Sequence, residues 1–169
     1  MKFEVRDNLD AFIFTDSSIG ISKYTDDCWE MNLLGVIAKY NNPQNSRYEN
    51  MFIGETTLQL DKPLIGRFLL EGYKRYNAND ELEEEVPDTE LDPADAPELF
   101  RNMEDGVLFR VFEKDSNKDG RRCLEMAVDV QKEDAQDADP QGTDTYWLDV
   151  YFTGSYVGWD RFVGPVEQH

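Results

Sequence analysis

The sequence has almost no histidine and few side chains that react readily near neutral pH. Its only histidine is His169, at the end of the 169-residue chain. Without an internal imidazole the chain lacks the commonest general base, and with it the Ser-His and Cys-His nucleophile pairs and most zinc sites. Neither of the common glycine-rich phosphate-binding motifs is present. These absences disfavour most enzyme classes.

Basic residues are also scarce. The chain has 17 Lys and Arg against 36 Asp and Glu, for a formal net charge of −19. Because nucleic acids and anionic membranes bind proteins largely through Lys and Arg, we expect neither as a partner. The charge favours a basic protein surface as the partner, or it serves only to keep the chain soluble.

Cysteines and long apolar runs are few. We expect Cys28 and Cys123 to be reduced, buried thiols, with a disulfide between them as the alternative. No apolar run approaches the roughly 20 residues that span a bilayer, and "MKFEVRDNLD" does not resemble a secretory signal. The length and the 40% hydrophobic content favour a single domain over 1–169 with a packed core. We therefore expect a soluble cytoplasmic protein.

Alternating apolar residues predict a mainly β (α+β) fold. We expect seven to nine antiparallel strands in a β-sandwich or partly closed barrel. The predicted strands lie in "KFEVR", "DAFIFTD", "SIGISKYT", "CWEMNLLGVIAKY", "MFIGETTLQL", "GVLFRVFEK", "RRCLEMAVDVQ" and "DTYWLDVYFTG". The last three suit a meander, with an acidic loop between the final two.

The middle of the chain carries a different pattern. In "DKPLIGRFLLEGYKRY", from Asp61 to Tyr76, the apolar spacing predicts one main amphipathic helix. Residues 77–98 then hold ten acids and no base, which predicts a Pro-containing acidic loop or excursion. Its acids, among them Glu83, Glu84 and Glu85, would bind a basic partner or fold back on the basic face of the predicted helix, which carries Lys62, Arg67, Lys74 and Arg75. Asp95 and Glu98 predict a short helical turn at its end.

The stretch "DSNKDG" matches the first half of a calcium-binding loop. Asp115, Asn117 and Asp119 occupy loop positions one, three and five, and Gly120 occupies position six. Position twelve is Met126, where such a loop needs a bidentate acid. The same residues suit a hairpin turn. We therefore predict a turn, with a weak Ca²⁺ site as the alternative and no other cofactor.

Aromatic residues crowd the C-terminal region and supply the remaining candidate binding residues. We expect Trp147, Tyr151 and Trp159 to contribute to a recognition surface, with packing beneath loops or the helix as the alternative. Glu125 and Asp149 lie on neighbouring predicted strands, where a carboxylate pair could act as acid and base or hold a divalent cation.

Three functions follow from these features. The leading hypothesis is a non-enzymatic acidic protein-binding module of inhibitor, immunity or accessory type that engages a basic surface. The second is a small-ligand or glycan binder that uses the C-terminal aromatic face. The third, which the sequence favours least, is a carboxylate-dependent or divalent-metal enzyme, and no residue is assigned as catalytic.

Overall fold

The chain folds almost entirely as antiparallel strands. The computed structural model describes residues 1–131 and 143–167, except the side chains of residues 116–118. Within these residues lie one short helix, α1 (Ala96–Phe100), and two 3-10 turns at Leu9–Ala11 and Pro93–Asp95. The strands are β1 (Phe3–Arg6), β2 (Phe12–Ile13), β3 (Ser17–Tyr24), β4 (Cys28–Leu34), β5 (Ile37–Ala38), β6 (Met51–Ile53), β7 (Thr56–Asp61), β8 (Leu64–Leu70), β9 (Tyr73–Tyr76), β10 (Leu82–Val86), β11 (Thr89–Glu90), β12 (Asn102–Lys118), β13 (Arg121–Gln131), β14 (Thr143–Phe152), β15 (Gly154–Trp159) and β16 (Phe162–Pro165). The predicted mainly β fold is confirmed.

Ten strands form one sheet in the order β1-β15-β7-β4-β3-β12-β13-β14-β8-β11. The sheet does not close into a barrel, because β1 and β11 remain its two edges. A smaller sheet has the order β16-β6-β5-β2, and β9 pairs with β10 in a separate hairpin. The predicted meander is the run β12-β13-β14. Most of its predicted acidic loop, residues 132–142, lies outside the described residues, as does His169.

A long two-stranded ribbon joins the two halves of the large sheet. Residues of β7 pair with β15 from Thr56↔Trp159 to Asp61↔Gly154. The same ribbon continues into β8 and β14, from Leu64↔Tyr151 to Leu70↔Tyr146. The two paired segments therefore run side by side from the half of the sheet that contains β7 and β15 to the half that contains β8 and β14. The register stays the same along the whole ribbon, except for one bulge.

Buried side chains from both halves form one core. Trp29 of β4 packs on Phe100 of α1 with ring centroids 5.0 Å apart, and Phe100 contacts Phe68 of β8 at 6.4 Å. The core also takes in Met31, Leu58, Leu124, Met126, Leu148 and Val150. The helix α1 thus supplies an aromatic side chain that links the two halves, as in a sandwich.

The predicted amphipathic helix at 61–76 is wrong. This segment forms β8 and β9, and Gly66 is an extra residue in β8 between the pairs Ile65↔Val150 and Arg67↔Asp149. The bulge places buried Ile65 and Phe68 three residues apart, which imitates helical spacing. A Cβ at Gly66 would lie 2.5 Å from Cε2 of Tyr151, so the ring occupies the space that a side chain would need.

A second bulge disrupts the alternation predicted for β12. Leu108 pairs with Val128 and Arg110 with Ala127, which leaves Phe109 as the extra residue. Leu108 and Val111 consequently face the core, while Phe109, Arg110 and Phe112 are exposed. Two other predicted strands, at 28–40 and 51–60, each divide in two, so the described strands outnumber the seven to nine expected.

Candidate protein-interaction surfaces

The side chains of Trp147, Asp149 and Tyr151 share one face of β14, as the alternation predicts. Leu148 and Val150 point to the core on the opposite side. We call the side of the sheet that faces away from the core the outer face. The strand register adds side chains from β12 and β13 to it, so that it comprises Arg110, Phe112 and Lys114 of β12, Glu125 of β13, and Trp147, Asp149 and Tyr151 of β14. Trp147 and Tyr151 are half-buried on this face.

The carboxylates of the outer face are matched by bases. Glu125 and Asp149 are direct cross-strand partners. Lys114 Nζ donates a hydrogen bond of 2.9 Å to Asp149 Oδ1, and Arg110 Nε lies 3.6 Å from Glu125 Oε2. The hydrogen bond to Asp149 raises the pKa of Lys114, despite the opposing effect of desolvation. Chemically this arrangement is a network of ion pairs in which each carboxylate has a base beside it.

The most exposed aromatics next to this network come from β12. The Phe112 side chain is 53% exposed and Phe109 is 46% exposed. The guanidinium of Arg110 lies 5.5 Å from the Phe112 ring centroid and 6.0 Å from that of Trp147. This cluster could not be predicted from the sequence, because the bulge at Phe109 does not show in the alternation pattern.

Trp159 does not belong to a recognition surface, which corrects that prediction. It is 0% exposed and stacks on Phe3 with ring centroids 5.6 Å apart. Phe12 and Phe162 pack edge-on against the same indole. β15 is paired on both sides, and its alternation points Trp159 inward together with Val157 and Ser155. The indole Nε1 is buried without a hydrogen-bond partner among the described residues.

The acidic residues Glu83, Glu84 and Glu85 lie on β10 of a hairpin, so this part of the predicted loop or excursion is an excursion built from two strands. We call residues 73–86, comprising β9, its turn and β10, the acidic arm. Arg75 lies 3.2 Å from Glu84 and 3.7 Å from Glu83, and Lys74 lies 3.7 Å from Glu85. The fold-back on Lys74 and Arg75 is thus observed. Pairing with β9 supplies the order that residues 82–86 lack on their own.

Polar contacts organise both ends of the acidic arm. At its tip, Asn77 Oδ1 accepts hydrogen bonds from the backbone N–H groups of Asn79 and Glu81. At its base, the Gly72 N–H donates a 2.7 Å bond to Asp88 Oδ1. A Cβ on Gly72 would collide with the Val86 carbonyl oxygen. The arm therefore leaves the large sheet at a crossing that only glycine permits.

The arm keeps an excess of exposed negative charge. It contains five acids, Asp80, Glu81 and Glu83 to Glu85, against the two bases of β9. The side chains of Glu83, Glu84 and Glu85 are 49%, 38% and 55% exposed. Two bases cannot neutralise five acids, so the arm presents a net negative surface.

The half-match to a calcium loop forms a hairpin turn, as predicted. Lys118 pairs with Arg121, leaving Asp119 and Gly120 as a two-residue turn with φ of 56° and 74°. Both angles are those of the tightest hairpin turns, which favour Asp-Gly. Asp115 lies upstream on β12 and is exposed, as is Asp119, while the side chain of Asn117 is outside the described set. Among the described residues no three His, Cys, Asp or Glu side chains could together hold a metal ion.

Cys28 and Cys123 are both free thiols. Cys123 is buried and Cys28 is half-buried. Burial raises the pKa of both, and neighbouring carboxylates add to the effect. Each thiol is therefore held in its protonated, poorly nucleophilic form near neutral pH.

The described part of the chain has surface cavities, and the three that follow each exceed 200 Å³. One of about 460 Å³ lies between the end of β3 and α1, one of about 270 Å³ beside β12, and one of about 220 Å³ at the base of the acidic arm. Trp147, Tyr151 and Trp159 line none of these three. The predicted aromatic ligand pocket therefore has no counterpart in them.

No protein-family model, curated protein or solved structure matches this chain. None of the helical segments in the described ranges has the length and apolar character needed to cross a membrane. The class of protein is an antiparallel β-sandwich with a projecting acidic hairpin.

Proposed function

We propose that this protein is a non-enzymatic acidic binding module that engages a basic surface on a partner protein. The observation that carries the proposal is the acidic arm, whose Glu83, Glu84 and Glu85 remain about half exposed after pairing with Lys74 and Arg75. Ion pairs this exposed contribute little to stability, typically below about 1 kcal/mol. Three adjacent glutamates are therefore better explained by an external partner than by the fold.

The position of the arm also suits protein recognition. It follows β8, whose last residues pair as Leu69↔Trp147 and Leu70↔Tyr146, so it starts at Tyr73, four residues beyond the row of the outer face that contains Trp147. A partner that contacts the arm would then reach Trp147 and Tyr151 as aromatic contacts, which often dominate binding energy. The surrounding negative charge would speed the association of a basic partner.

The two alternatives have less support. A glycan or small-ligand site would use Trp147, Tyr151 or Trp159, yet Trp159 is in the core and the other two line none of the three cavities described above. A carboxylate enzyme would use Glu125 and Asp149, which lie beside Arg110 and Lys114. The described geometry thus favours recognition over either alternative.

Capture of host proteins at two ionic strengths tests the proposal. Immobilised protein should retain basic proteins from a native lysate at about 0.05 M salt and release them at about 0.5 M, where charge screening is strong. The triple variant Glu83→Gln, Glu84→Gln, Glu85→Gln should lose most of this capture. A control variant, Glu55→Gln, Glu104→Gln, Asp105→Asn, has the same net charge change at other exposed sites. Equal capture by the two variants would contradict a specific role for the arm.

A further inference from the structure

Part of β12 has an open backbone edge. Its pairing with β3 ends at Leu108↔Ser17, and the last hydrogen bond on that side runs from the Asp16 N–H to the Leu108 carbonyl. Beyond this point β12 continues to Lys118 and pairs only with β13 among the described strands. The backbone from Phe109 to Asp115 therefore has unpaired donors and acceptors along one side, which is the usual place for strand addition.

An apolar groove runs beside this open edge. The cavity of about 270 Å³, which we call the edge groove, lies between the segment Leu9–Thr15 and the backbone of Val111–Glu113. Leu9, Phe12, Phe14 and Leu124, all less than 6% exposed, form its floor. Phe112 stands at its rim. A groove with an apolar floor beside a free strand edge offers both the backbone pairing and the side-chain pocket that peptide recognition requires.

The groove lining together with its sequence neighbours carries an excess of acids. Asp10 and Glu113 line the groove, and the exposed Asp16 and Asp115 adjoin it in sequence. Glu113 is neutralised by a two-pronged contact with Arg122, whereas Asp10, Asp16 and Asp115 make no ion pair with any described residue. Lys39 is the only base among the described lining residues. The charge around the groove therefore complements a segment that carries Lys or Arg.

We propose that the edge groove binds an extended, basic segment of a partner protein as an added strand on β12. One apolar side chain would enter the groove on the core side, next to Val111, and Phe112 would pack on the added strand from the outer face. The basic character of the segment rests on the proposed function, but the site is separate from the acidic arm. A second copy of this chain is a poor occupant, because each copy carries a net charge of −19 and like charges repel.

A synthetic heptapeptide, acetyl-Arg-Thr-Lys-Phe-Lys-Thr-Arg-amide, tests the site by calorimetry. In an extended conformation its Phe and two Thr side chains face one way and its basic side chains face the other. We expect saturable binding that weakens at least tenfold when Phe is replaced by Ser. N-methylation of residues 2, 4 and 6 or of residues 1, 3, 5 and 7 removes the N–H groups of one edge only. One of the two patterns should abolish binding and the other should be tolerated.

Two protein variants locate the binding site. Phe112→Ala removes the rim and should weaken binding about fivefold to tenfold. Phe109→Ala is the matched control, because Phe109 is similarly exposed on the same strand but does not line the groove, and its affinity should stay within about twofold. Amide exchange between Phe109 and Asp115 should slow at alternate residues when the peptide is bound. Both variants should have the same midpoint of urea denaturation as the wild-type protein, which shows that they remain folded.

The outcomes separate this inference from the proposed function. If the Glu83, Glu84, Glu85 triple variant loses the peptide and Phe112→Ala does not, the groove inference is wrong and the arm is the peptide site. If no peptide binds, or both N-methylation patterns are tolerated, strand addition at β12 is also wrong. Neither result alters the capture test of the arm. Peptide-independent dimerisation in sedimentation, lost in Phe112→Ala, would assign the groove to a second copy and overturn the inference.

Discussion

Glu125 lies directly opposite Asp149 across β13 and β14, and each of these two carboxylates forms an ion pair with a different base of β12. Like charges on facing positions of a sheet destabilise it unless they are compensated. Lys114 and Arg110 provide that compensation, so the outer face depends on its bases for stability.

Removal of one base should expose this dependence. Lys114→Met leaves the half-buried Asp149 without its hydrogen bond beside Glu125, and we expect a loss of about 1–2 kcal/mol in the free energy of unfolding. Lys62→Met is the control, because it breaks the solvent-exposed pair with Asp27 and should cause no measurable change. Urea denaturation of both variants measures the difference, and equal midpoints would contradict a structural role for the network.

Tyr24 should make stability fall at alkaline pH. Its ring is 5% exposed, and burial, aided by Asp26, raises the pKa of the phenol from 10.0 to about 12. Because the pKa of Tyr24 is higher in the folded state than in the unfolded state, the neutral phenol contributes to the free energy of unfolding. This contribution is complete below pH 10 and is lost as the pH rises towards 12. Between about pH 9 and pH 11, wild type should lose about 1 kcal/mol more than Tyr24→Phe. Tyr48→Phe, at an 84% exposed position, should follow wild type. Parallel loss in all three proteins would refute the assignment.

The two buried tryptophans should respond differently to replacement by phenylalanine. Trp29 and Trp159 are both 0% exposed. Trp29 Nε1 donates a 2.8 Å hydrogen bond to Ser22 Oγ, while Trp159 Nε1 has no partner among the described residues. Trp29→Phe should therefore destabilise the protein by about 1 kcal/mol more than Trp159→Phe. A larger loss for Trp159→Phe in urea denaturation would show that its N–H is satisfied in solution.

Gly72 should be essential to the acidic arm. Gly72→Ala places a Cβ against the backbone of Val86 and Pro87, so the strands must separate. We expect fast amide exchange throughout β9 and β10 in this variant, together with loss of basic-protein capture. Gly164→Ala, where no heavy atom lies within 4 Å of the new Cβ, should exchange like wild type. Wild-type protection of β10 in Gly72→Ala would contradict this account.

Calcium should leave the β12–β13 hairpin unchanged. The turn residues Asp119 and Gly120 adopt their angles for conformational reasons, and the adjacent Asp115 is exposed. We expect calorimetry with millimolar Ca²⁺ to show no saturable heat for wild type or Asp115→Ala. Saturable binding that disappears in Asp115→Ala would establish a calcium site.

Regular strands were the predictable part of this fold. In β13 and β14 the alternation puts Leu124, Met126, Leu148 and Val150 on one face of the sheet, and all four are buried in the core, because uninterrupted strands obey a period of two. The same pattern placed Trp147 and Tyr151 together on the other face. The alternation in β14 alone therefore predicts the part of the outer face that this strand contributes.

Bulges account for the main errors. One extra residue at Gly66 turned a strand into an apparent helix, and another at Phe109 hid the exposed aromatics of β12. A bulge depends on the partner strand and on what crosses it, such as the Tyr151 ring over Gly66, so a single chain's local pattern does not contain it. Trp159 was predicted on the surface because its burial also depends on distant strands. The residues that cover it belong to β1, β7 and the small sheet, most of which lie far from β15 in the sequence.

The order of the acidic arm was also hidden from composition. Residues 80–98 look too polar to fold, but β10 is held by Lys74, Arg75 and the backbone of β9. Those partners belong to a segment that the pattern had assigned to a helix. The first error therefore produced the second.

The ribbon of β7–β8 with β14–β15 has a consequence for biosynthesis. One edge of β7 and of β8 finds its partner only in residues 143–159, although β7 also pairs with β4 and the end of β8 with β11. Neither half of the sandwich can therefore be completed until residues 143–159 have left the ribosome. Until those residues are available, β7 and β8 each carry one unsatisfied edge that a chaperone would recognise.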